Sequence, residues 1–455
     1  MLRHMIKSRR LLCAAAAFLF VFALWRGPRA AAEREFRDIG RFPQNGTAYL
    51  PPDPDEALVD YVSQIVYAEE YLRRHFAPWS GEPEDGSDLS FLDLTFERLL
   101  EYHASLAKKR FYASSGGVFP KKSLDAIMKN GAVDPSADMR PGVALSVADI
   151  RAFPYGQPLY NSKTAALGSG GYLKLDALQV STIRPGEPLA IYNASADSNW
   201  FFVATGTAVG WVKAAAIAPA DRDFVDMYAA AEKSVLVKDN VEMKDSTGKT
   251  AATFKLGTVL PSEEGALLIA VRGKDGFADA VRWTPEEGAA EPFPVRFTPK
   301  NAVRAIDAMM GEPYGWGGVS GLRDCSSMTR DYFSTFGIWL PRNSGDQSFT
   351  GSRVSLKGTS LDERNEAIAR DGVPFATLIH MPGHIMLYLG LYDGEPAVFH
   401  NTWGVAVTGG RAVVGRAVVS GLRLGEEIPG KRANSLLIDR MDAISFPMTE
   451  LIVSE

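Results

Sequence analysis

The sequence predicts a multidomain protein: a helical N-terminal segment, two small β-barrels in succession and a C-terminal α+β domain. Three observations carry that reading. Apolar residues recur at helical spacing in the first part of the chain, with Leu58, Tyr61, Val62, Ile65, Leu72 and Phe76 as the clearest set. After about Gly142 the period changes to two, in short runs divided by Gly, Pro, Asn and Asp. From about Phe297 helical and strand-like runs are mixed again. The 455 residues, 46% of them hydrophobic, are enough for three or four packed domains.

The elements follow in order. Residues 1–32 read as a secretory signal peptide: a basic start (Arg3, Lys7, Arg9, Arg10), an apolar core from Leu11 to Trp25, and Ala30-Ala31-Ala32 as a cleavage site. That core is short of the roughly 20 apolar residues a membrane span needs, so export without stable membrane insertion is expected. Cys13 lies within it, without the small preceding residue that a lipid-attachment site would want. Residues 33–141 form the helical segment, with one helix from Pro51 and another over Phe91–Lys108. Residues 142–220 hold the first barrel, with runs at Leu145–Phe153, Tyr172–Gln179, Pro188–Ala194, Trp200–Ala204 and Val209–Ala214. Residues 221–296 hold a connecting helix and the second barrel, with turns at Asp239-Asn240, Ser246-Thr247-Gly248 and Lys274-Asp275-Gly276. In residues 297–455, helices are expected at Asn301–Met310 and Ser326–Phe336. Strands are expected at Phe375–His380, His384–Leu391, Ala397–Asn401, Ser435–Asp439 and Ala443–Phe446.

Charge narrows the possible partners. The formal charge of −5 falls to about −11 once the basic leader is excluded. So acidic a surface argues against nucleic acid and against adhesion to anionic polymers. A monomer is expected.

Without the leader, Cys325 is the single cysteine, in the run Y-G-W-G-G-V-S-G-L-R-D-C-S-S. Exported proteins normally keep cysteines in pairs, so a lone thiol is either buried and inert or retained for chemistry. Asp324 is a good N-cap and Ser326–Phe336 has helical spacing, which puts the thiol at a helix N-terminus. There the first-turn N–H groups are free to bind an oxyanion. Asp324 would raise the thiol pKa if it faced the sulfur, so it should be turned away, to cap or to bind substrate. A base is also needed, and His380, His384 and His400 lie in the same domain. His384 opens a strand and His400 ends the next. Antiparallel pairing through Asp393-Gly394 would let His400 orient His384. His380 and His384 form H-x-x-x-H, but Met381-Pro382-Gly383 breaks the helix that a zinc pair requires, so His380 reads as structural.

Four blocks, Y-G-W-G-G with D-C-S-S, D-Y-F-S-T-F-G-I-W-L-P-R-N-S-G-D-Q, P-G-H-I-M-L-Y-L-G and H-N-T-W-G, occur in order. Over about Phe297 to Phe446 the chain resembles the NlpC-type cell-wall peptidases, papain-like cysteine peptidases that cut peptidoglycan stem peptides. The two barrels resemble bacterial SH3-like domains, and the helical segment resembles an N-terminal stabilising segment. The resemblance implies Cys325 as nucleophile, His384 as base and acid, His400 as third polar residue and Tyr314 on the oxyanion side. It further implies that Asp324 and Ser326 hold the free amine of an N-terminal L-Ala. Glu187 and Trp211, from the first barrel, are candidates to close that pocket, with barrel core as the rival reading of Trp211. The spacing of His384 and His400 exceeds the family's usual dozen or so residues, the excess falling around Tyr392–Pro396. If it broke the register, Asn401 would take the place of His400.

The resemblance implies an exported endopeptidase cleaving γ-D-Glu–diamino acid bonds, with meso-diaminopimelate expected, in stem peptides or muropeptides during wall turnover or recycling. No cofactor or metal is required. The alternatives are a non-catalytic wall-peptide-binding protein, or an amidase or acyltransferase on the same scaffold.

Overall fold

A computed structural model describes residues 36–80, 100–134, 138–245 and 247–448. The expected leader, and the expected second helix as far as residue 99, lie outside the described residues.

Helix α1 (Tyr61–Ser80) starts ten residues later than the sequence suggested. Pro51, Pro52 and Pro54 lack N–H donors and favour extended backbone. Asp60 then starts the helix, its carboxylate accepting the N–H of Ser63 at 2.9 Å. Two buried side chains tie α1 to separate units. Gln64 donates to the carbonyls of Val295 (2.7 Å) and Phe336 (3.1 Å) beside the C-terminal domain. Trp79 donates from Nε1 to the Gly142 carbonyl of the first barrel at 2.7 Å.

The first barrel is a seven-stranded antiparallel sheet running from Arg140–Ala144 to Ile217–Pro219. Of its strands, β1 (Gln179–Ile183) faces the C-terminal domain. The expected strand at 172–179 begins only at Gln179. Helix α2 (Arg222–Ala230), capped by Asp221, leads to the second barrel. That barrel is a five-stranded sheet with a two-stranded ribbon around Leu236, Phe254, Leu260, Leu267 and Ile269.

The C-terminal domain holds helices α3 (Pro299–Met309) and α4 (Cys325–Ser334). Its strands are β2 (Ser352–Ser355), β3 (Leu378–Met381), β4 (His384–Tyr392), β5 (Glu395–Val407), β6 (Gly410–Gly421) and β7 (Ala443–Phe446). They form one antiparallel sheet in the order β2-β7-β3-β4-β5-β6. Helix α4 packs on it through Met328 and Tyr332, in one cluster with Ile385, Leu387 and Phe399. The strand expected at 435–439 is instead a helical turn, Leu437–Arg440, with the Asp439 carboxylate accepting the Leu436 N–H at 3.1 Å. Strand β6 escaped the sequence reading because Gly415 interrupts its apolar alternation. Hairpin β4–β5 closes through Asp393 and Gly394, both at positive φ, with Tyr392 opposite Glu395. The extra residues therefore lengthen the strands and not the loop.

Candidate active site

The loop before Cys325 is glycine-rich because side chains of the first barrel need the space. Gly317 and Gly318 both have positive φ. A Cβ on either would come within 2.6 Å of a first-barrel side chain, Gln179 Cγ or Thr182 Oγ1. Those same residues hold the loop: Gln179 donates from Nε2 to the Gly317 carbonyl (3.1 Å), and Thr182 donates to that of Gly318 (2.5 Å). Strand β1 is thus a wall against which the nucleophile loop is moulded.

Asp324 caps α4 as expected. Its Oδ1 accepts from the Ser327 N–H (2.9 Å), and Ser327 Oγ accepts the Asp324 N–H (2.9 Å). It is also paired with Arg342, whose Nη2 lies 2.7 Å from Oδ2, and it accepts the Gly317 N–H at 3.1 Å. Burial raises the Asp324 pKa, but Arg342 and these hydrogen bonds outweigh it and hold the carboxyl below its usual range. Asp324 is thus both the cap of α4 and the anchor of Arg342. Ser326 donates to Asp324 Oδ1 (3.2 Å) and accepts from Arg342 Nη1 (3.0 Å), so it belongs to the same internal network. Arg342 stands in the block P-R-N-S-G-D-Q; sequence reading assigned it no role, although a conspicuous arginine was the available signal.

Directly before the cap, Arg323 is fully buried among Asp239 (2.7 Å), Glu312 (2.7 Å) and Asp331 (2.6 Å). Lys255 bridges Asp239 and Glu312, and Arg184 pairs with Asp331. This cluster joins both barrels to the segment that carries the nucleophile. Asn401 donates from Nδ2 to the Arg323 carbonyl at 2.9 Å, holding the same segment from β5.

Cys325 and Ile385 lie in one buried cluster, and β4, which His384 opens, packs against α4. His384 Nε2 is 2.8 Å from His400 Nδ1, and His400 Nε2 is 3.0 Å from Ser420 Oγ. The register holds, so Asn401 does not replace His400. Burial, with a smaller contribution from Asp324, pushes the Cys325 thiol up to about 12. Burial, helped by Arg440 and His380, pushes His384 down to about 3. Burial therefore favours a neutral Cys325 thiol and a neutral His384 imidazole.

Tyr314 is half-buried and edge-on to Trp403, and its pKa is raised by burial and by the charges of Cys325 and Asp324, so it stays a phenol donor beside the thiol. Trp211 is corrected to barrel core. It is fully buried against Phe202, because a large aromatic at an inward strand position fills the interior of so small a barrel. Glu187 lines a different cavity, of about 70 Å³, with Arg184, Arg330 and Asp331. Asp331 lies six residues along α4 from Cys325, about 9 Å at helical rise, so Glu187 faces that cavity and not the thiol. His380 is structural: its Nδ1 is 2.6 Å from Asp442 Oδ1. Among the described residues no group of three or more His, Cys, Asp or Glu could hold a metal.

Comparison with known proteins agrees with this architecture. Residues 311–411 match the NlpC/P60 family, 160–213 an SH3 domain of the SH3b1 type, and 11–135 the N-terminal stabilising domain of NlpC/P60 proteins. Over 173 residues the chain is 27% identical to a gamma-D-glutamyl-L-lysine dipeptidyl-peptidase of Bacillus subtilis, covering 36% of this chain and 47% of that one. The chain thus spans about half the length of that relative. The solved structure of an NlpC/P60 endopeptidase from Photobacterium damselae subsp. piscicida superposes with a TM-score of 0.77 at 22% identity, over 90% of this chain and 98% of that one. An NlpC/P60 family protein from Bacillus cereus gives a TM-score of 0.44 at 19% identity, over 68% and 99% of the two chains. The chain thus carries an NlpC/P60 domain, preceded by an SH3b domain and the N-terminal stabilising domain of NlpC/P60 proteins.

Proposed function

We propose that this protein is an exported γ-D-glutamyl–diamino acid endopeptidase acting on peptidoglycan stem peptides that begin with a free L-Ala. The observation that carries the reading is the hydrogen-bonded His384–His400 pair on strands that pack against α4, the helix Cys325 begins, in a chain similar to a γ-D-glutamyl-L-lysine dipeptidyl-peptidase.

The mechanism follows from the atoms. His384 Nε2 is engaged by His400, which leaves Nδ1 to accept the Cys325 proton as sulfur attacks the scissile carbonyl. The Cys325 N–H, at the first helical position, and the Tyr314 hydroxyl stabilise the oxyanion. The protonated His384 gives its proton to the leaving amine, and a thioester to Cys325 remains. Water, deprotonated by His384, attacks the thioester and releases the L-Ala-γ-D-Glu acid with regeneration of the thiol.

Charge beside the site supports diaminopimelate over lysine. Arg440 donates to the carbonyl of Pro382, two residues before His384, at 2.9 Å. Arg411 lies opposite Ala406 in the sheet, and the Arg432 N–H binds the Ala406 carbonyl from the other side. All three arginines are exposed, and among the described residues none pairs with a carboxylate. Burial, and after it Arg440, lowers the Arg411 pKa. A patch of unpaired arginines on an acidic protein favours the extra carboxylate of diaminopimelate and repels a lysine ammonium. The test is mass spectrometry of products from L-Ala-γ-D-Glu-meso-diaminopimelate and its N-acetylated form. Release of L-Ala-γ-D-Glu from the free-amine peptide is expected. Absence of that dipeptide, or equal rates on both peptides, would refute the substrate assignment.

A further inference from the structure

We infer that Ser420 is a positioning residue for the proposed peptidase reaction, on which this inference rests: its hydroxyl fixes the protonation pattern of two histidines and so presents His384 to Cys325 as a base. Ser420 lies on β6, fully buried, and no sequence motif marks it.

The argument is a proton count along one hydrogen-bonded chain. A serine hydroxyl has one proton to give and lone pairs to accept with. The Ser420 Oγ lies 3.0 Å from the Gly421 carbonyl oxygen, which can only accept. The proton is therefore spent on that carbonyl, and Oγ turns a lone pair toward His400 Nε2 at 3.0 Å. Nε2 must then carry the His400 proton. Burial, with the neighbouring His384, holds His400 neutral, its pKa well below the ordinary value. A neutral imidazole protonated at Nε2 has a bare Nδ1, and Nδ1 lies 2.8 Å from His384 Nε2. His384 must donate there, which leaves its own Nδ1 bare and able to take the thiol proton.

The opposite orientation fails as catalysis. If Ser420 donated to His400, then His400 Nδ1 would carry the proton and donate to His384 Nε2. His384 Nδ1 would hold the remaining proton and could not act as base. The Gly421 carbonyl is what separates the two patterns, because it takes the hydroxyl proton. In many triads a carboxylate sets the tautomer by charge. Here every member is neutral, and a backbone carbonyl sets it through a serine. The sequence V-V-S-G gives no hint of this, since the role depends on strand pairing that places Val418 opposite His400.

The experiment is ¹⁵N-resolved NMR of histidine-labelled, substrate-free full-length protein near neutral pH, with steady-state kinetics of Ser420→Ala and Ser420→Thr. The wild type is expected to show His384 unprotonated at Nδ1 and His400 unprotonated at Nδ1. Ser420→Ala should lower kcat roughly 10- to 100-fold, as loss of outer-shell hydrogen bonds commonly does. KM should change less than about twofold, and the His384 signals should move toward the Nδ1-protonated form. Ser420→Thr, which keeps the hydroxyl, should recover most of kcat. A wild-type spectrum with His384 protonated at Nδ1, or an unchanged kcat in Ser420→Ala, would overturn the inference. If the alanine variant does not fold, the wild-type spectrum decides. A wild type with the expected spectrum but no cleavage of stem peptides would defeat the proposed function while leaving the tautomer assignment intact.

Discussion

Replacing Arg323 by methionine should cost this protein about 3–5 kcal/mol of stability, the range for breaking a buried ion network from one side. The structure sets the size. The guanidinium is fully buried and makes three carboxylate contacts of 2.6–2.7 Å, to Asp239, Glu312 and Asp331. Those carboxylates are themselves no more than 8% exposed. Methionine fills much of the volume but leaves them with Lys255 and Arg184 as the nearest formal partners. Water cannot make up the difference without opening the contact between the second barrel and the nucleophile loop. Arg282 is the internal control. It also pairs with two carboxylates, Glu263 and Glu264, but is 47% exposed, so Arg282→Met should cost less than about 1 kcal/mol. Urea unfolding followed by tryptophan fluorescence measures both, and kcat/KM of Arg323→Met should fall because the loop carrying Cys325 loses its anchor. A stability loss for Arg323→Met no larger than that of Arg282→Met would show that the network does not hold the loop.

Three further outcomes are expected. Stability should decline as pH falls from about 6.5 toward about 4. Burial lowers the folded-state pKa of His75 and His103 to about 4 and of His384 to about 3, so below 6.5 the unfolded chain binds protons that the folded one refuses. A urea midpoint unchanged between pH 7.5 and 4.5 would contradict this. Alkylation of Cys325 by iodoacetamide in the substrate-free enzyme should keep rising through the alkaline range, because burial sets the thiol near 12; a plateau near neutrality would mean a preformed thiolate. Arg440→Glu should reduce the preference for diaminopimelate over lysine peptides about tenfold, equivalent to ~1.4 kcal/mol, in a competition assay. An unchanged ratio would remove the arginine patch from specificity.

Much of the site was legible in the sequence because its members announce themselves locally. An N-cap aspartate before a helical run placed Cys325. A two-residue Asp-Gly turn between apolar runs set β4 and β5 antiparallel, and with them the contact of His384 and His400. What stayed hidden depends on contacts between distant segments. Ser420 looks like any small residue in a valine-rich strand until pairing puts it behind His400. Arg342 meets Asp324 across 18 residues, and Asp239 meets Arg323 across 84. The errors have the same origin. Trp211 and Glu187 belong to the first barrel, and which of its faces meets the cleft is decided by docking. It is β1, through Gln179 and Thr182, that touches the loop. Strand β6 was missed because Gly415 breaks its pattern, and the late start of α1 reflects three prolines that outweigh apolar spacing.

The claim on which the account turns is that the Cys325 sulfur forms the covalent intermediate. Intact-protein mass spectrometry after incubation with L-Ala-γ-D-Glu bearing a thiol-reactive carbonyl tests it directly, with peptide mapping of the adduct and parallel turnover of the plain substrate. A single adduct on Cys325, slowed in His384→Ala, and no turnover by Cys325→Ala are the expected results. Substrate hydrolysis that persists in Cys325→Ala would contradict the account.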